Sequence, residues 1–220
     1  MSSLTGYLKR QTILVCLFNL SIIEHTYVHI MGNRIEAKEK SRKGIQDTAL
    51  LLFGKYGYHG TSIRMIAKES GVSLGLMYNY FDGKEGLIRS IFDTNYTELK
   101  AVLTLRTSAG DNDFEKLLER IFVSIEESRS FWRLYYSIKM QITLNDLLVN
   151  DLLKIQKLLI TEVELVLKPY KLSNLTGESM LLYSAIDGVI QNYLSNPEFP
   201  KQKILDLIIF KYSKLNKAVS

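Results

Sequence analysis

The first 168 residues of this 220-residue chain contain no proline, and its three prolines are Pro169, Pro197 and Pro200. Seven of its 13 glycines (Gly54, Gly57, Gly60, Gly71, Gly75, Gly83 and Gly86) crowd instead into 33 residues. Proline and glycine are the residues that stop or turn a chain. Their distribution predicts long helices on either side of a small, tightly turned segment. With 46% hydrophobic and 23% charged residues and a mean hydropathy of +0.01, the chain has globular composition. That excludes disordered, collagen-like and multi-span membrane classes. The length suits one or two small domains, each able to bury a core.

Hydrophobic periodicity is helical almost throughout. Ile45, Ala49, Leu52, Phe53 and Tyr56 mark one helix that ends near Gly57. Two very short apolar pieces follow. Thr61 or Ser62 can cap the first, whose inward face is Ile63, Ile66 and Ala67. Gly71 suits the left-handed turn that closes it, and Val72 plugs the core between the pieces. Ser73 caps the second piece, which runs to about Tyr80, and Asp82 is placed to cap a longer helix carrying Leu87, Ile88, Ile91 and Phe92. Asn112 and Glu115 resemble a capping box ahead of Phe114, Leu117, Leu118, Ile121, Phe122 and Ile125. Further helices are expected at about 130–140, 145–167, 176–195 and 201–217. Alternation of period two never persists long enough to build a sheet. The fold class is all-α.

Two short helices joined by a glycine turn have the outline of a helix-turn-helix, in which the second helix enters the DNA major groove. Each side chain there has a chemistry to offer. Gly75 lets a partner come close to the helix. Ser73 can bond a phosphate oxygen, and Tyr78 and Tyr80 carry phenolic hydroxyls suited to phosphate. Asn79 can donate and accept at a base edge, whereas Leu74 can meet only a thymine methyl or a packed sugar. Lys84 reads as an exposed cation within reach of the same backbone. The net charge of +5 is slight, but its location is informative. Residues 34–43 hold five basic side chains, Lys40 and Lys43 among them, against two acidic ones. This basic arm precedes the short helices.

From Thr61 to Leu87 the chain resembles the TetR family of bacterial transcriptional regulators. The resemblance lies in the Thr61-Ser62 cap, Ile66-Ala67, Gly71-Val72-Ser73, Gly75, Tyr78-Asn79-Tyr80-Phe81 and Lys84-Glu85-Gly86-Leu87. It implies DNA contacts at Thr61, Ser73, Gly75, Tyr78, Tyr80 and Lys84, with Val72, Met77 and Phe81 in the core. Ser62 is also placed with the DNA-facing residues. The sequence departs from the family at Leu74, where many members carry a polar or basic residue. By this reading residues 31–83 form a three-helix DNA-binding domain, joined by a helix at about 83–103. A larger helical domain, 104–220, would sense an effector and dimerise.

In that larger part, Phe131, Trp132, Tyr135, Tyr136 and Met140, joined by Phe122 and Tyr183, either line a ligand cavity or simply fill the core. The apolar stripe at 181–194 is too broad for a single neighbour. Leu182, Ile186, Gly188, Val189 and Tyr193 on it, with Ile208 and Tyr212, are expected at a homodimer interface built as a four-helix bundle, which is also how the family dimerises. The expected function is a cytoplasmic, homodimeric repressor. It would bind a palindromic double-stranded operator and be released by an unidentified small-molecule effector. The alternative is a helical small-molecule or lipid-binding protein or enzyme without sequence-specific DNA binding.

Other chemistry finds little support. Catalytic triads, zinc signatures and phosphate-cradling Gly-Lys motifs do not occur, so neither enzyme activity, cofactor nor metal is expected. Cys16 is the single cysteine and forms no internal disulfide. His25 and His29 have metal-ligand spacing, but lie in a segment read as foreign to the domain. Residues 11–23 are uncharged and mostly apolar after Lys9 and Arg10, yet too short to span a bilayer. The simplest account takes Met31 as the natural start and residues 1–30 as a leader from upstream translation. An accessory helix or a membrane contact is the other reading of that segment.

Overall fold

A computed structural model of the protein describes residues 32, 34–105 and 114–213. The leader at 1–30, the His25–His29 pair, Cys16 and Asn112 lie outside the described residues. Two compact units are distinguished, 1–47 and 48–220. In the first, residues 34–47 are helical, with Ile45 and Gln46 buried and Lys40 and Lys43 exposed.

The second unit opens with α1, helical residues 48–60. It continues through α2 (Ile63–Glu69), α3 (Leu74–Tyr80) and α4 (Gly83–Thr104), then α5 (Phe114–Glu127), α6 (Arg129–Lys139) and α7 (Ile142–Leu167). A 3-10 turn at Lys168–Tyr170 contains Pro169 and ends at left-handed Lys171, and α8 (Leu175–Ser195) and α9 (Lys201–Ser213) complete the unit. Among the described residues there is no strand, and the fold is all-α. No helix among them is long and apolar enough to cross a membrane.

Helix α7 is the spine of this unit and touches α4, α5, α6 and α8. Its Leu148, Leu152, Ile155, Leu159, Val163 and Val166 are buried at spacings of three and four, the period that puts side chains on one helical face. Each such side chain contributes about 1.5–3 kcal/mol on leaving water. Phe114, Leu117, Leu118, Ile121, Phe122 and Ile125 bury the matching stripe of α5.

Two local expectations need correction. Tyr56 is exposed and Tyr58 buried, because Gly57 takes a left-handed φ of 72° and breaks the helical period between them. Asp82 occupies the N-cap position of α4, but its side chain makes no capping bond. Its ψ of 76° keeps the carboxylate from the first-turn amides, whereas Ser62 and Ser73, at 155° and 152°, have the extended backbone a cap requires.

Candidate nucleic-acid interface

Helices α2 and α3 are each seven residues long, too short to be stable alone, so caps and core contacts hold them. Ser62 Oγ accepts from Met65 N at 3.2 Å and Ser73 Oγ accepts from Leu76 N at 3.1 Å. Between them Gly71 adopts a φ of 71°, which lets Val72 N return to Ala67 O at 3.0 Å. Ile66, Ala67, Met77 and Phe81 are buried beneath this turn. The core holding α3 is thus formed by Met77 together with the residue that ends the helix.

The outer face of α3 presents Ser73, Gly75, Leu76, Tyr78 and Asn79 to solvent, with Leu74 and Tyr80 half-buried. Tyr78 is 55% exposed. A Cβ built on Gly75 would meet nothing within 4 Å. No neighbour in the fold therefore demands glycine there. Its effect is to leave a bare patch between Ser73 and Tyr78 where another backbone can approach closely. Neither α2 nor α3 has an acidic residue in its first turn, so the face carries no built-in repulsion for phosphate.

Two expected contacts are placed elsewhere. Thr61 is 1% exposed and neither caps α2 nor faces outward. Its Oγ1 donates to Gly57 O at 2.8 Å and to Leu52 O at 3.1 Å, closing the end of α1, and Ser62 takes the cap. Lys84 is a half-buried internal tie and not a free cation. Its Nζ donates to Tyr58 O at 2.9 Å and to Thr61 O at 3.0 Å, and lies 4.2 Å from the Tyr58 ring centroid. Burial lowers the pKa of this ammonium, and the neighbouring Glu85 charge opposes that shift. Lys40 and Lys43 are exposed on the helix of the first unit.

Arg64, in the first turn of α2, is exposed, a placement that the helix dipole does not favour.

The aromatic residues divide among several sites. Phe131, Trp132 and Tyr135 are core and meet edge to face along α6, with Phe92 of α4 reaching Phe131 at 5.2 Å between centroids. The hydroxyls of Tyr136 and Tyr183 turn to Asp187, donating at 2.9 and 3.3 Å. Met140 is exposed at the end of α6 and joins Tyr136, Arg133 and Leu194 around a cavity of about 450 Å³. Phe122 belongs to a separate groove of about 520 Å³ between α5 and α9, with Leu118, Leu205 and Lys201.

The expected interface stripe also needs correction. Leu182, Ile186 and Val189 are buried in the chain's own core, and Tyr212 packs on Phe114 at 5.6 Å. Tyr193 accepts from Arg129 Nη1 at 3.0 Å and donates to Glu126, so its hydroxyl is already engaged. Gly188 and Ile208 are half-buried. The large apolar side chains that α8 and α9 leave in solvent, among the described residues, are Met180, Leu181, Leu207 and Phe210.

Residues 45–91 match the family of bacterial regulatory proteins described as the tetR family. The Bacillus subtilis protein named as HTH-type transcriptional regulator YuxN is 32% identical over 166 residues, covering 71% of this chain and 54% of that protein. The HTH-type transcriptional repressor KstR of Mycolicibacterium smegmatis is 29% identical over 82 residues, 37% of this chain and 40% of that one. The chain thus spans about half the length of the curated relatives it matches. Among solved structures, a transcriptional regulator from Pseudomonas aeruginosa shares the fold with a TM-score of 0.62 at 16% identity, over 81% of this chain and 91% of the other.

Proposed function

Because this chain belongs to the TetR family of bacterial regulatory proteins, we propose that it is a homodimeric transcriptional repressor that leaves a palindromic operator when a small-molecule effector binds. Residues 31–83 read DNA, the helix at about 83–103 links, and residues 104–220 sense the effector and dimerise. The observation that carries the reading is the outer face of α3, where bare Gly75 lies among exposed Ser73, Tyr78 and Asn79. Hydroxyls flanking a point of close approach suit a phosphate backbone, and an amide beside them suits a base edge.

Self-association is supported by Leu181 and Leu207, exposed apolar residues on the last two helices. The cavities of about 450 and 520 Å³ are of a size that holds small molecules. KstR, named as a repressor, supports that sign of regulation. The protein acts in the cytoplasm, where its operator lies.

Selection of bound duplexes from a random library tests this reading. The expected product is a palindrome with half-sites about 34–36 Å apart, one helical turn, as for two-fold helix-turn-helix dimers. Recovery of no enriched sequence at any salt concentration would sink it.

A further inference from the structure

A third cavity, of about 330 Å³, lies between α1 and α6 and is large enough for a small molecule. One wall is α1, with Leu50, Leu51, Gly54 and Gly57. The other is α6, with Ser130, Arg133 and Ser137. Phe53 and Leu134, both buried, close the space between them.

The α1 wall is apolar and unusually bare. Gly54 stands in a helix interior, where glycine costs stability relative to alanine. A Cβ built on it would meet nothing within 4 Å, so the fold itself does not ask for glycine there. At Gly57 the φ of 72° accounts for the residue, and a Cβ there also meets nothing. The result is a strip of open backbone beside Leu50 and beside Leu51, which is 67% exposed. Such a surface suits a flat ring better than a branched chain.

The α6 wall is polar. Ser130, Arg133 and Ser137 recur at spacings of three and four, which puts them on one face of the helix, and all three are exposed. Ser137 Oγ accepts from Gln141 Nε2 at 3.1 Å and keeps its own proton to donate. Among the described residues lining the cavity, Arg133 is the one charge, and no carboxylate accompanies it. A guanidinium fork matches a carboxylate with two parallel bonds, and serine hydroxyls can donate to the same oxygens. One cation balances a monoanion and leaves a phosphate dianion undercompensated.

We propose that the α1–α6 cavity binds a small aromatic carboxylate, its ring laid on the open backbone at Gly54 and its carboxylate held by Arg133, Ser130 and Ser137. Occupancy of this site does not depend on whether α3 meets DNA.

Titration calorimetry of the full-length chain with naphthoate tests the site, with naphthamide and naphthylmethylammonium as neutral and cationic analogues. One naphthoate should bind per chain, about tenfold or more tighter than either analogue, as charge-assisted bonds require. Arg133→Gln should remove that preference. Gly54→Leu, which fills the cavity, should weaken naphthoate binding by about tenfold or more. Backbone amide shifts should move most at Gly54 and Gly57 when naphthoate is added.

Equal affinity for carboxylate and amide, or no saturable binding below about 1 mM, would overturn the proposal. Shifts centred on Gln191 and Leu194 would put the ligand in the neighbouring cavity, which Arg133 also lines, and would overturn it as well. If Gly54→Leu does not fold, Gly54→Ala, whose methyl group meets nothing in the fold, decides the same point with an expected loss of about threefold. Full affinity in whichever glycine variant folds would remove the α1 wall from the site and the proposal with it.

Discussion

Lys139 donates to both carboxylate oxygens of Asp187, at 3.1 and 2.9 Å, and so ties α6 to α8. Tyr136 and Tyr183 direct their hydroxyls to the same carboxylate. One acid thus satisfies three donors from two helices. Asp187→Asn should destabilise the fold by about 2–3 kcal/mol, because it removes charge-assisted bonds and leaves an ammonium partly buried. Lys139→Met should cost less, about 1–2 kcal/mol, since the tyrosine hydroxyls keep their acceptor. Chemical denaturation checks the order; equal losses would mean that the carboxylate is not the centre of the cluster.

The same tyrosines make the fold sensitive to alkali. Burial raises the pKa of Tyr135, Tyr136 and Tyr183 above the ordinary 10.0, with the Asp187 charge adding to each shift. The folded state then holds these protons after the unfolded state has released them. Stability is fully present below the unfolded pKa of 10.0 and declines as pH rises above it. Thermal scans between pH 8 and 11.5 should show a falling midpoint above about pH 10, shallower in Tyr135→Phe. A midpoint indifferent to pH over that range would contradict the buried placement.

Gly75→Ala separates folding from recognition. The new methyl group enters open space and improves helix propensity, so stability should hold or rise by up to about 0.5–1 kcal/mol. Operator affinity should nevertheless drop by about tenfold or more, because the methyl group occupies the point of close approach. Thermal melting and fluorescence anisotropy together give the answer. Full affinity would remove Gly75 from the interface.

Tyr78→Ala, on the same face, should leave stability within about 0.5 kcal/mol of wild type. It should weaken binding to the selected and mixed-sequence duplexes by similar factors, as expected of a contact that positions without specifying. Affinity unchanged for both duplexes would place α3 elsewhere.

Neighbouring leucines on α8 should behave oppositely. Leu181 is 60% exposed and Leu182 is 0% exposed. Leu182→Ala should cost about 2–5 kcal/mol of stability as a core cavity. Leu181→Glu combined with Leu207→Glu should leave the monomer folded while raising the dimer dissociation constant by about a hundredfold or more. Sedimentation equilibrium distinguishes the two. Dimerisation unaffected by the paired charges would place the interface away from α8 and α9.

Much of the reader was legible because its signals act over a few residues. Ser62 and Ser73 cap amides three positions on, and Gly71 turns the chain where a left-handed φ is needed. The buried stripe of α5 follows its 3.6-residue period. Contacts across the fold were not legible in the same way. Lys84 looked exposed because nothing near it in sequence shows that Tyr58 and Thr61 turn their carbonyls toward it. Asp187, between Ile186 and Gly188 in an apolar run, was a visible anomaly, but its partners Tyr136 and Lys139 come from another helix.

By itself the sequence determined the helical class, the short helix-turn-helix with its caps, and the residues offered on the outer face of α3. Period, capping and glycine conformation are local properties, expressed wherever those residues occur. Tertiary structure alone decided that Thr61 and Lys84 turn inward, that the aromatic residues split between a packed core and separate cavities, and that Leu181 and not Leu182 remains in solvent. A broad apolar stripe has no single inward direction. Which part of it is buried is set by the neighbouring helices, and which cation is desolvated depends on carbonyls distant in the chain.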